Sequence, residues 1–205
     1  MKKGFHILFL IVLLAVALTL LALYYSQPFV SEFNFKDKIA FSDIEVQKGY
    51  DYYTNATTLN SASAEVGTLN LKNDGYFKQL YSFPSVVGCI ELKDSADQTR
   101  VTLRQSQFSV DFQGDGTVYY SGQKTEIISS ASRNFVLKAQ YTPYGAKISD
   151  FTNGNIQAVT LYVLKDKESN PLNLDSYSNY GYGYYSDQCD NLKKTQSPDA
   201  TIIIS

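Results

Sequence analysis

"EVGTLNLKNDGYFKQLYSF", Glu65 to Phe83, is the stretch on which the reading of this chain turns. Val66, Leu69 and Leu71 open a strand that stops at Asn73-Asp74-Gly75, and Tyr76 to Phe83 returns. Asp-Gly between two such runs is a short-range hairpin signal, because both residues accept positive φ. The same grammar continues downstream. Val86 to Leu92, "VVGCIEL", is apolar enough for a central strand, and Val101 and Leu103 alternate within Arg100 to Arg104. Phe108, Val110 and Phe112 precede a Gly-Asp-Gly turn at Gly114 to Gly116, and Val118 to Tyr120 follows it. Phe135, Leu137 and Ala139 alternate within Asn134 to Thr142, as Val159, Leu161 and Val163 do within Ile156 to Leu164. Ala200 to Ile204 closes the chain without a charge to deter edge pairing, so it is expected inside a sheet.

Short strands, frequent turn signals and no helical period beyond the N-terminus predict an all-β fold. The expectation is an antiparallel, immunoglobulin-like β-sandwich over residues 65–205. Residues 26–64 read as a stalk and first strand. That strand is expected over Lys38 to Val46, where Ile39 and Phe41 change phase to Ile44 and Val46 across a bulge. Tyr53 to Ala64, small and polar, reads as a loop.

Upstream, residues 1–25 have a different character. From Gly4 to Tyr25 there is no fixed charge, and as a helix this run measures about 33 Å, enough for a hydrocarbon core of about 30 Å. Lys2 and Lys3 precede it and Tyr24 and Tyr25 end it, which predicts one transmembrane helix with its N-terminus cytoplasmic and the later domain extracellular. A cleaved signal peptide is the competing reading. Ala15-Val16-Ala17 fits the small-x-small pattern, but a cut there leaves Leu18 to Tyr25 as an apolar end.

Lys2-Lys3-Gly4-Phe5 before the apolar run also resembles the start of type IV pilins and pseudopilins. The resemblance covers only this leader and implies a cut after Gly4, with the helix then packing into a filament. The chain departs from that pattern at Phe9, where most bacterial members carry glutamate, and at Pro28, which stops the helix early.

Of 18 basic residues two belong to the leader, so the outer part carries 16 against 20 acids, a formal charge of −4. That argues against a nucleic-acid binder, and no basic stripe is visible in the sequence. The two cysteines, Cys89 and Cys189, both fall in the exported part and are expected as a disulfide. The one histidine, His6, sits in the leader, which removes Ser-His-Asp, Cys-His and His-rich zinc chemistry from the outer domain. Glu45, Glu65, Glu91 and Glu126 show no spacing that marks a catalytic pair. Asp111 and Asp115 in "DFQGDGT" are too few oxygens for a calcium loop. No enzyme activity and no cofactor are expected.

Two features point toward recognition. Asn55-Ala56-Thr57 fits the N-glycosylation acceptor pattern. "YSNYGYGYYSDQC" places Tyr177, Tyr180, Tyr182, Tyr184 and Tyr185 in a glycine-softened loop that ends at Cys189. Tyrosine gives a large, stiff, amphipathic contact, and glycine, serine and asparagine let the backbone adapt around it. The reading is a single-pass surface protein, held in the membrane through residues 4–25, whose outer domain is a binding or structural module for a surface protein or glycan. A pilin-like filament subunit is the alternative.

Overall fold

The computed structural model describes residues 2–25, 29–53, 55–93, 100–102, 108–141, 156–164, 189 and 192–205. Among the described residues a long helix, α1 (Lys2–Tyr25), precedes thirteen strands. They are β1 (Phe29–Phe35), β2 (Lys38–Ile39), β3 (Glu45–Asp51), β4 (Ala56–Asn73), β5 (Gln79–Ser82), β6 (Val86–Lys93) and β7 (Arg100–Thr102). After them come β8 (Phe108–Gly114), β9 (Thr117–Tyr119), β10 (Lys124–Ile127), β11 (Ala131–Tyr141), β12 (Ile156–Val163) and β13 (Ala200–Ile204). The all-β, mostly antiparallel expectation holds.

The first sheet has the order β1-β4-β11-β8-β9, with β3 also on β4. The second runs β2-β13-β12-β6-β7, and β5 pairs β10 in a third, two-stranded sheet. All pairs are antiparallel except β2 with β13. The closing strand is thus paired on both sides, as its uncharged sequence requires, and β6 is interior between β12 and β7.

Side chains alternate across each strand, so one face of each sheet can be apolar. Leu69 and Leu71 of β4, Phe112 of β8, Phe135 and Leu137 of β11, Leu161 of β12 and Ile202 of β13 form one core, each fully buried. Phe83, just after β5, sits at its aromatic centre, with ring centroids 4.9 Å from Phe112, 5.1 Å from Phe135 and 4.8 Å from Tyr119. Such edge and offset contacts add to the burial itself.

Three local expectations need correction. The Asp74-Gly75 turn does not make a hairpin: β4 pairs with β1, β3 and β11, whereas β5 leaves to pair with β10. The cause is Asn73. Its buried amide donates to the carbonyls of Phe77 (2.8 Å), Ile127 (3.0 Å) and Ile128 (3.2 Å), while its Oδ1 accepts from Gly75 N (3.0 Å). These bonds draw the returning chain toward the β10–β11 connection instead of back along β4.

Second, Lys38 to Val46 is not one bulged strand. Ile39 lies in the second sheet and Val46 in the first, and a 3-10 turn at Phe41–Asp43 carries the chain between them. Third, the polar run expected as a loop after Tyr53 becomes strand from Ala56, because β3 offers it a full antiparallel partner. The stretch expected as a stalk also holds β1, whose period-two aromatics Phe29, Phe33 and Phe35 pack against the core.

Gly67 is where β1 and β11 converge on β4, opposite Phe35 and Leu137. A Cβ there meets the Asn34 carbonyl oxygen at 2.4 Å and the Phe35 Cα at 2.8 Å, so only glycine fits.

From Phe9 to Leu21 every large apolar side chain of α1 is more than half exposed. Among the described residues no helix is long and apolar enough to cross a membrane. The backbone helix as a whole, 24 residues, reaches about 36 Å.

Candidate functional site

Alternation on β6 and β12 sends Val86, Leu161 and Val163 into the shared core and Val87, Cys89 and Tyr162 to the opposite face. There they form a second cluster with Cys189, against which Leu164 and Leu192 pack. Cys89 and Cys189 are disulfide-bonded with Cα atoms 5.9 Å apart, as the cysteine count predicts. The second sheet is therefore covered on its outer face too, and the cover is covalently fastened. Tyr177, Tyr180, Tyr182, Tyr184 and Tyr185 lie outside the described residues; Cys189 is the fixed point just downstream of them.

A second aromatic surface lies on described residues. Below Ala62, β4 pairs with β3 alone among the described residues, so Lys48–Asp51 and Ala56–Leu59 form a two-stranded ribbon past the end of β11. Tyr52 and Tyr53 at its turn are 86% and 101% exposed, and half-exposed Tyr50 lies edge-on to Tyr52 with centroids 5.0 Å apart. The Tyr50 hydroxyl donates to Asn55 Oδ1. Asn55 has φ 50°, a left-handed turn conformation that asparagine tolerates, and it is exposed together with Thr57. The acceptor pattern thus sits on an accessible hairpin turn. The signal for this tip was the triplet Tyr50, Tyr52 and Tyr53; reading the following residues as loop hid the ribbon that projects it.

The fold brings together two of the four glutamates that showed no spacing. Glu45 and Glu65 line a groove of about 430 Å³ with Lys36, Asp43, Gln113 and Lys138. Lys138 Nζ lies 2.7 Å from Glu45 and Lys36 Nζ 3.1 Å from Glu65. The hydrogen bond and charge of Lys138, with help from Ser63, hold the Glu45 carboxyl below the usual range. Glu45 is thereby engaged as the ion-pair partner of Lys138. Glu126 is paired with Lys78 at 2.9 Å, and Glu91 lies on β6 in the second sheet.

The Gly-Asp-Gly stretch is a tight turn between β8 and β9, with Asp115 at φ 51° and Gly116 at φ 74°. Positive φ at both central residues matches the twist of the flanking strands. The Asp115 carboxylate accepts from Arg133 Nε at 2.8 Å, and the same guanidinium lies 5.3 Å from the Phe135 ring centroid. Asp111 instead accepts from Gln140 Nε2 at 2.7 Å on β11. The two acids are engaged separately, and among the described residues no group of three or more His, Cys, Asp or Glu could hold a metal.

No family model matches the chain and no curated protein matches it. Among solved structures, the Clostridium difficile EutQ protein aligns at 10% identity over 54% of this chain and 79% of its own, with a TM-score of 0.11. A likeness that low carries no argument about fold or function.

Proposed function

We propose that this is a single-pass membrane-anchored surface protein whose outer β-sandwich is a binding module, carrying no catalytic centre and presenting tyrosine-rich surfaces to a protein partner. The observation that carries the reading is α1: its apolar side chains are exposed all round from Phe9 to Leu21, with no face packed on the sheets. A helix apolar on every side needs an apolar surrounding, and a bilayer supplies one. Thr19, the polar residue in mid-helix, satisfies its hydroxyl on the Ala15 carbonyl at 2.8 Å, which lipid demands. The charged start at Lys2-Lys3 then lies in the cytoplasm and the sheets outside.

Strand order supports assigning the outer domain to the immunoglobulin-like class. β1-β4-β11-β8 take the places of A-B-E-D, and β13-β12-β6-β7 those of G-F-C-C′, in the same chain order. The disulfide departs from the antibody pattern, since it fastens β6 to a segment beyond β12 on the outer face instead of joining B to F through the core.

Recognition falls to tyrosines in two places, the ribbon turn (Tyr50, Tyr52, Tyr53) and the loop ending at Cys189, with Asn55 as a glycan acceptor beside the first. Full-length protein with Tyr180, Tyr182, Tyr184 and Tyr185 changed to alanine, and separately Tyr52 and Tyr53, is compared with the native chain by cross-linking on intact cells and by melting. Loss of the cross-linked partner at unchanged melting temperature is the expected result. A large fall in melting temperature makes them packing residues. The exposed α1 also suits a filament core, and the mass of the mature N-terminus separates the two readings: loss of Met1 to Gly4 favours the pilin-like subunit, an intact start the anchor.

A further inference from the structure

The end of the sandwich where α1 arrives carries an exposed apolar patch of its own. Tyr76 is 78% exposed, Leu80 66%, Ile128 65% and Phe77 42%. Tyr76 and Phe77 lie in the turn leading into β5, Leu80 within β5 and Ile128 just after β10; the β5–β10 pairing and the bonds of Asn73 to Phe77 and Ile128 hold them together. Asn73 is also the residue opposite Phe29, the first residue of β1, and the Phe29 ring stacks on Tyr81 at 5.8 Å. The patch is therefore built around the point at which the chain leaves α1.

The tether fixes what faces it. From Tyr25 to Phe29 the chain can span at most about 14 Å. The polar layer of a bilayer is itself roughly 5–8 Å deep on each side. If α1 spans the membrane, Phe29 and the turns around it lie at or just above the headgroups. Aromatic and aliphatic tips with lysine neighbours suit that layer, because the rings and methyls enter the acyl boundary while the ammonium groups stay wet. Lys72 and Lys78 stand there, beside Asp74 at 2.8 Å and Glu126 at 2.9 Å. The opposite end of the fold has no such tether. The ribbon turn lies at the other end of β4, an 18-residue strand of about 60 Å.

We propose that Tyr76, Phe77, Leu80 and Ile128 form a second membrane contact, a foot that rests in the outer leaflet and stands the sandwich upright with its tyrosine ribbon facing away. This rests on the anchor reading. The occupant is the lipid surface, and a protein partner at this patch is the competing outcome.

The test uses the full chain in phosphatidylcholine–phosphatidylglycerol vesicles, with a benzophenone side chain introduced by itself at Leu14, Leu80 or Tyr53 and lipid adducts read by mass spectrometry. Ile128 serves as a second foot position should the Leu80 variant fail to fold. Adducts at Leu14 and at the foot, with none at Tyr53, are the expected result. An adduct at Leu14 with none at either foot position overturns the foot and leaves the anchor standing. Lipid adducts at Tyr53 as abundant as at Leu80 overturn the upright placement. No adduct at Leu14 overturns the anchor reading itself.

Discussion

Removing the Asn73 side chain tests the claim that one amide, and not the Asp-Gly turn, decides where the chain goes after β4. Asn73 is fully buried; it donates to three carbonyls at 2.8 to 3.2 Å and accepts one backbone N–H at 3.0 Å. The amide has two hydrogens, so these amount to two donated bonds, one of them shared, and one accepted. At about 1 kcal/mol each, plus about 1–3 kcal/mol for the buried Ile127 carbonyl left without its donor, Asn73→Ala loses about 4–6 kcal/mol. For a domain of this size that lowers the melting temperature by roughly 8–24 °C.

Asn73→Asp sharpens the test. It keeps the acceptor for Gly75 but turns an ionisable oxygen toward three carbonyls, and burial raises its pKa. A carboxyl whose pKa is raised on folding penalises the fold increasingly as pH climbs through its unfolded value of about 3.9. The aspartate variant should therefore be less stable than the alanine variant near neutral pH and regain ground on acidification. Urea denaturation of both, in the same detergent, measures this. A loss below about 0.5 kcal/mol for Asn73→Ala refutes the reasoning, since that is within the range of an ordinary surface change.

Four further outcomes are expected. Phe83→Ala empties the centre of the aromatic cluster and costs about 3–5 kcal/mol by denaturant titration. Gly67→Ala forces β1 away from β4, which hydrogen exchange reads as lost protection of the β1 amides while β12 and β13 keep theirs. Burial holds the Asp111 carboxyl above its usual range, so the native fold loses stability as pH rises through about 4. Asp111→Asn should then melt higher than the native chain near neutral pH and not in acid. Cys89→Ala with Cys189→Ala removes a cross-link between residues 100 apart in sequence; loop entropy sets an upper loss of about 4–5 kcal/mol, measured against the native chain without reductant.

Period-two runs were legible wherever both neighbours of a strand supply partners of ordinary length. Val86 to Leu92, Asn134 to Thr142, Ile156 to Leu164 and Ala200 to Ile204 all lie within a residue or a few of β6, β11, β12 and β13. The Cys89–Cys189 bond was legible from the even cysteine count together with the expectation of export. What the pattern hid were choices made by distant residues. The hairpin signal at Asp74-Gly75 is local, but Asn73 bonds to residues 54 and 55 positions away. The small, polar run from Ala56 to Ala64 shows no apolar alternation, yet β3 supplies the pairing that makes it strand. The proposed foot was invisible for the same reason: Leu80 and Ile128 are far apart in sequence and come near each other only through the pairing of β5 with β10 and the bonds of Asn73.

The length of β4 has a mechanical consequence. On the proposed reading, with α1 held in a membrane and a partner on the ribbon, tension would enter β1 at Phe29 and leave through the far end of β4. β1 and β4 run side by side over seven matched positions, Phe29 opposite Asn73 through Phe35 opposite Gly67. The load is then borne in shear, all rungs strained together, and not peeled one after another. A protein tugged between two surfaces should on this axis resist rupture far better than when pulled across its strands.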